Sequence, residues 1–259
     1  NMAGNNIIKD LLDANGFEKL ERRIVGNYTV KAKSDLHIGA GSTPSPGEID
    51  MPVLKDVGDY PIVPGSSLKG VLRSELERFL KAVFNDGKKT DAVVTIIFGP
   101  SPKLTKDYGF ASSIRIRDAT AKERRTFIRD GVRIDIGTRK AATGGKYDIE
   151  VMPRGTEFTG TIVIENPDIN FNGKVYKNAK LGALLSIVDF FNKTNASLGG
   201  AVSRGFGEID ITLENFRSYT PDDYLAGNKE GNPNVNTHEA IEKWKEFIHD
   251  FKTIINKEG

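Results

Sequence analysis

The feature that most restricts the fold is a change of hydrophobic period along the chain. In VGNYTVKAK (25–33), Tyr28, Val30 and Ala32 alternate with Thr29, Lys31 and Lys33, the two-residue period of a half-buried strand. From Ser67 onward, Leu68, Val71, Leu72, Leu76, Phe79, Leu80, Val83 and Phe84 recur every three or four residues. That is the apolar stripe of an amphipathic helix, with Ser66 or Ser67 as its expected cap. The alternation then repeats. IRIRD (114–118) and EFTGTIVIE (157–165) read as strands, and Leu181, Leu184, Leu185, Val188 and Phe191 mark a second helix. FGEIDITLENF (206–216) is a last strand with Ile209, Ile211 and Leu213 on one face. In chain order this is β-α-β-β-α-β, an α+β chain with a ferredoxin-like core over residues 25–216.

Residues 85–112 and 119–147 are expected insertions into that core. The polar stretch 217–236 reads as a linker, and 237–259 as a C-terminal helix. The helix offers Ile241, Trp244, Phe247, Ile248, Phe251 and Ile255 as an apolar face.

The chain has no cysteine, which removes disulfides, thiol nucleophiles and cysteine-based zinc sites. No run approaches the roughly 18 apolar residues of a membrane span, and the amino terminus lacks a signal-peptide pattern. A cytoplasmic protein is expected. The net charge is only +2, but residues 119–147 hold eight basic side chains against three acidic ones. That segment is therefore +5 and the remainder −3. Local clustering of positive charge in a nearly neutral chain is the footprint of a polyanion site; a solvated, salt-laced surface is the plainer reading.

Four motifs bear on chemistry. In PGSSLKGVLRSEL (64–76), Lys69 and Arg73 lie four apart near a helix start, where free N–H groups favour phosphate. The P-loop spacing is absent, so nucleotide hydrolysis is rejected. SLGGAVSRGFGEI (197–209) is a glycine-rich loop carrying Arg204, suited to close backbone approach or simply to a tight turn. His37 ends the first strand in LHIGAG (36–41), and its spacing from His238 and His249 does not suit zinc. In GEIDMPVLKD (47–56), Asp50 follows a Gly-, Ser- and Pro-rich stretch, where a turn and a catalytic carboxylate both fit.

Taken together, LHIGAG, GEIDMPVLKD, YPIVPGSSLKGVLRSELE (60–77) and LGGAVSRGFGEI (198–209), in this order and at these separations, resemble the RAMP superfamily of CRISPR systems. Within it they are most similar to the repeated backbone subunits of type III-A effectors, the Csm complexes. The resemblance covers residues 28–84 and 181–216 well and the middle loosely, through 131–158. It does not reach residues 1–24 or the terminal helix.

It implies an RRM-related, ferredoxin-like core with a protruding thumb. Copies of the chain would line up along a CRISPR guide RNA, present it to target RNA, and meet the other subunits of the Csm effector complex. Asp50 is implied as the residue needed for metal-dependent cutting of target RNA and as a ligand of the divalent cation, Mg2+ being expected. His37, Lys69, Arg73, Gly199, Gly200, Arg204 and Gly205 are implied as contacts to the guide backbone. The basic segment is implied as the thumb, with Arg133 and Arg139 as further RNA contacts.

The physics of the residues agrees with that picture. A chain that must hold any guide should read phosphates and sugars and leave base edges free. Basic and glycine-rich surface serves this, without a dense aromatic platform of the usual RRM kind. Three alternatives stay open: a backbone subunit that binds guide without cutting, the equivalent Cmr-complex subunit, and a guide-processing endoribonuclease using His as acid and base.

Overall fold

A computed structural model describes residues 2–41, 49–100, 111–134, 141–200 and 205–257. Helix α1 (Met2–Asp13) precedes β1 (Arg23–Ala32). Strand β2 (Ile62–Val63) leads into α2 (Gly65–Phe84) and α3 (Gly87–Phe98). Two short strands follow, β3 (Ile114–Ile116) and β4 (Ala119–Ala121), then a hairpin of β5 (Phe127–Ile134) and β6 (Ala141–Val151). Next come β7 (Glu157–Glu165), a small hairpin of β8 (Ile169–Phe171) and β9 (Lys174–Tyr176), and α4 (Ala179–Lys193). The chain ends with β10 (Ile209–Tyr219), α5 (Pro221–Leu225) and α6 (Thr237–Lys257).

Among the described residues, an antiparallel sheet of six strands runs β10-β1-β7-β4-β2, with β3 also paired to β7. β1 is central, between β10 and β7. Its residues Ile24, Tyr28, Val30 and Ala32 are buried, whereas Asn27 and Lys31 face solvent. The sheet therefore buries one face against helices and leaves the other wet. Tyr28 shows how tightly the buried face is built. It lies opposite Gly160 of β7, and a side chain at 160 would come within 2.5 Å of its ring. Its hydroxyl donates to the Arg117 carbonyl at 2.5 Å. Burial, and then the charge of Asp118, pushes its ionisation far above the usual phenol range.

Several elements differ from the sequence expectation. The cap of α2 is Pro64, with no side-chain hydrogen bond, in place of Ser66 or Ser67. Segment 85–112 contains α3, whose Ala92–Phe98 run is buried on all sides. Such a helix belongs to the core, and it packs on α1 and α2. The strand expected at 114–118 stops at Ile116 as β3, and a separate strand, β4, follows it at Ala119–Ala121. Strand β10 extends through Tyr219 and the one-turn α5 follows it, so residues 217–225 carry regular structure.

Helix α6 is attached through α4. Ala240, Trp244, Phe247 and Phe251 are buried along it, and Phe171, Tyr176 and Phe247 meet edge to face. Asp250 accepts from Tyr176 Oη and from Lys174 Nζ. The closest approach is at Gly182 of α4, where a Cβ would stand 1.9 Å from the Ala240 carbonyl oxygen. Backbone cannot yield there as a flexible side chain would. Gly182→Ala is expected to cost about 1–3 kcal/mol through overpacking. Urea unfolding tests this, and an unchanged midpoint would show that the α4–α6 contact has slack.

Candidate nucleic-acid interface

The site is organised where β1 leaves the sheet. Leu36 bridges Met152 at the end of β6, and His37 follows with only 3% of its surface exposed. The His37 Nδ1 lies 2.8 Å from the Glu150 carbonyl oxygen, which calls for the Nδ1–H tautomer. From the other side, the Gly200 N–H donates to the His37 carbonyl at 3.0 Å. Gly199 has φ +90°, and a Cβ there would lie 2.4 Å from that same carbonyl. The glycine loop thus closes onto backbone, and any larger residue at 199 would lift it off. Gly205 also has positive φ, at +83°, but with open space beside it. Its requirement is conformational and its surface is accessible.

Asp50 is brought to the same place from the other direction. Beyond 42–48, which lie outside the described residues, the chain returns beside β6, with Met51 bridging Ile149 in parallel. The Met51 N–H donates to the Asp148 carbonyl, and the Glu150 N–H donates to the Met51 carbonyl, each at 3.0 Å. Asp50 is exposed, and its Oδ2 accepts the Asp148 N–H at 2.9 Å. That bond orients the carboxylate at the root of the β5–β6 hairpin and leaves Oδ1 for a ligand. His37, Gly199, Gly200 and Asp50 are therefore gathered around the Asp148–Met152 stretch of β6.

An ion pair with one buried partner holds this assembly. Glu150 is almost fully buried. Its carboxylate accepts from Lys55 Nζ at 2.8 Å, Thr126 Oγ1 at 2.7 Å and the Val53 N–H at 3.0 Å. Burial alone would push this carboxyl up. The hydrogen bonds from Lys55, Thr126 and Val53, with the Lys55 charge, outweigh it and hold the group below the usual range. Sequence reading missed Glu150; alternation in YDIEV places it on the same side as Asp148, and only the third dimension supplies Lys55.

Lys69 and Arg73 sit elsewhere, along α2. Lys69 Nζ donates to Ser112 Oγ at 2.7 Å, and Arg73 Nη1 donates to the Gly99 carbonyl at 2.8 Å. They therefore hold the two ends of 101–110, a segment outside the described residues. Burial, with Arg73 and Arg115 nearby, lowers the Lys69 ammonium. Burial also lowers Arg73, partly offset by Glu77 and Asp91. The α2 N-terminus, expected as a phosphate seat, carries a carboxylate already: Asp118 Oδ1 accepts the Gly65 N–H at 2.8 Å. Like charge would keep a phosphate from that end. Among the described residues no hydrogen bond or ion pair joins Lys69 or Arg73 to the His37 group.

The basic segment forms the β5–β6 hairpin and the turn before it. Arg129 pairs with Asp35 at 2.5 Å and Lys122 with Glu157 at 2.6 Å. Arg124 lies 4.6 Å over the Tyr60 ring and Arg125 5.2 Å over Phe127. Phe127 and Ile128 are exposed at its base. Arg133 belongs to β5, but its side chain lies outside the described residues, as do Arg139 and Arg204 altogether. The wet face of the sheet pairs Thr29 with Thr159 and Thr212, and Lys31 with Glu157 and Asp210. These positions bear no aromatic ring on which a base could stack. Among the described residues no group of three or more His, Cys, Asp or Glu side chains is placed to hold a metal ion.

Because the folded Glu150 carboxyl is depressed, its contribution is present above the ordinary carboxylate pKa of about 4.3. It is lost as pH falls through the lower folded value. Glu150→Gln leaves Lys55 only its longer pair with the exposed Asp59, at 3.7 Å, and is expected to cost about 1–3 kcal/mol at neutral pH. The difference from the unaltered protein should shrink in acid. Equal pH profiles for the two proteins would contradict this assignment.

The RAMP superfamily model matches residues 29–210 of the chain. A Streptococcus thermophilus protein named CRISPR system Cms endoribonuclease Csm3 is 30% identical over 192 residues, covering 70% of this chain and 83% of its own. An Enterococcus italicus protein of the same name is 28% identical over 214 residues, covering 77% and 94%. Among solved structures, a chain of a type III-B Cmr-beta complex in the apo state is similar with a TM-score of 0.48 and 16% identity, over 73% of this chain and 96% of that one. The matched span takes in the end of β1, the His37 segment, Asp50, α2, the hairpin and the glycine loop, and the chain belongs to the RAMP superfamily.

Proposed function

We propose that this chain is a guide-RNA-binding backbone subunit of a type III-A CRISPR interference complex, and that it cuts bound target RNA with Asp50 at the reacting phosphate. The observation that carries the catalytic part is the placement of Asp50. It is exposed, oriented by the Asp148 N–H and set at the base of a basic hairpin. The relatives, named as CRISPR endoribonucleases, support the cutting role.

The core is read as ferredoxin-like. The order β10-β1-β7 followed by β3 and β4, with α2 and α4 as the crossovers, supports that reading. Guide binding is assigned to backbone and charge. Among the described residues Lys69 uses one of its three donors and Arg73 one of five, which leaves N–H groups on both for phosphate. Gly200 and Gly205 let a sugar-phosphate chain approach the loop closely. The His37 ring is buried, so its role is to position that loop from beneath.

A divalent cation fits the donor set in part. Asp50 Oδ1 would hold it, with water and RNA oxygens completing the shell. Such an ion, when bound, stabilises charge building on the phosphoryl oxygens. The same carboxylate can orient the ribose 2′-OH of the target toward the adjacent phosphate.

In guide-loaded complex, Asp50→Asn is expected to abolish target cleavage while guide and target binding stay unchanged. Cleavage that persists would make Asp50 a turn residue and the chain a scaffold. Lys69→Ala and Arg73→Ala are each expected to weaken guide binding for every guide sequence and to lower the log–log salt slope by about 1. An unaltered slope would assign both cations to holding the segment after α3.

A further inference from the structure

Helices α2, α4 and α6 leave an open apolar groove of about 380 Å3 between them, walled by Phe79, Val83, Phe190, Trp244 and Ile248. Phe79 and Phe190 are 42% and 39% exposed and meet edge to face at 5.7 Å. The α6 rim contributes Lys245, His249 and Lys252, spaced to lie on one helix face and all exposed. Among the described residues no carboxylate lines the groove, and Glu242 pairs with Lys245 at 2.9 Å beside it. Its chemical complement is a short helical segment with apolar side chains and flanking acids.

The chain carries such a segment. In α5, Tyr224 and Leu225 are 58% and 83% exposed, directly after Asp222 and Asp223. Among the described residues neither carboxylate is in an ion pair. Thr220 caps the turn by accepting the Asp223 N–H at 3.0 Å, so the apolar pair is presented on formed structure. Both α5 and α6 lie beyond residue 210, where the match to the family model ends.

We propose that α5 of one copy docks in the α2–α4–α6 groove of a second copy, Tyr224 and Leu225 entering between the aromatic walls while Asp222 and Asp223 meet Lys245 and Lys252. The two surfaces differ, so the contact is head-to-tail and propagates along a row of copies. It needs no RNA and stands apart from the reading of Asp50. One helical turn buries far less than the roughly 1,200 Å2 of a stable interface. The contact is therefore weak between free chains and strengthens when copies are held close together.

The cysteine-free chain makes the test direct. RNA-free Ala226→Cys protein is mixed at high concentration and low salt with Ser186→Cys protein, Ser186 lying in the groove, and treated with a short bis-maleimide. The mixed dimer is expected to exceed both homodimers and the product of a Ser74→Cys control, and to decline with added salt. Lys245→Glu with Lys252→Glu in the groove-bearing chain should reduce the yield to the control. Asp222→Lys with Asp223→Lys in the other chain should then restore it. A yield equal to the control overturns the proposal, as does loss by the first pair of changes without recovery by the second. Capture of an added acidic amphipathic peptide with no mixed dimer also overturns it, assigning the groove to another protein.

Discussion

The exit of β1 is the constraint on which the rest depends. In two consecutive residues the strand gives its backbone to two structures: Leu36 to the end of β6, and the His37 carbonyl to Gly200. A hairpin that extends from the sheet and a loop that returns from α4 are thereby fixed to the same two residues of chain. The buried His37 ring fills the space between them, its Nδ1 on Glu150. Backbone hydrogen bonds do this without regard to side-chain identity, which is why glycine is demanded at the point of closest approach.

Around that junction the charges divide by depth. Glu150 is the buried member of a pair with half-exposed Lys55 and has additional hydrogen bonds, and a buried charge is costly to leave without its partner. Asp50, three residues from the bridge to Val53, remains at the surface with one oxygen oriented and one uncommitted. A carboxylate placed so is pre-oriented at little energetic cost and remains accessible to a phosphate. The proposed binding, spread over backbone N–H groups and partly used cations, would suit a protein that must accept any RNA sequence. The wet face of the sheet, polar and free of rings at its central pairs, gives no route to base stacking there.

Much of the fold was legible because β1, α2, β7 and α4 each show one clean period. The buried residues Tyr28, Val30, Leu68, Leu72 and Leu76 fall where alternation and helical spacing place them. Helix α3 was not legible in that way. Its AVVTIIF run is apolar but for Thr95 and rich in β-branched residues, so periodicity carries no phase. The available signal was Asp86, whose side chain accepts from the Lys88 and Lys89 N–H groups as a cap. Of the site, Asp50, His37 and the glycine loop were visible as motifs, but their convergence on β6 was not. That depends on pairings across about a hundred residues. Asp118 on the α2 N-terminus and Glu150 under Lys55 were invisible for the same reason, since their partners lie 53 and 95 residues away in sequence.

Placing Asp50 at the reacting phosphate is the central claim, and its location on bound RNA can be measured without relying on loss of activity. An iron chelate attached to Asp50→Cys, the sole thiol in the chain, would generate hydroxyl radicals in guide-loaded complex bound to target RNA. Strand breaks in the target are expected to centre on the phosphate cut by the unaltered protein, repeating once per copy. Breaks centred on the guide, or on target positions remote from the natural cut, would contradict it.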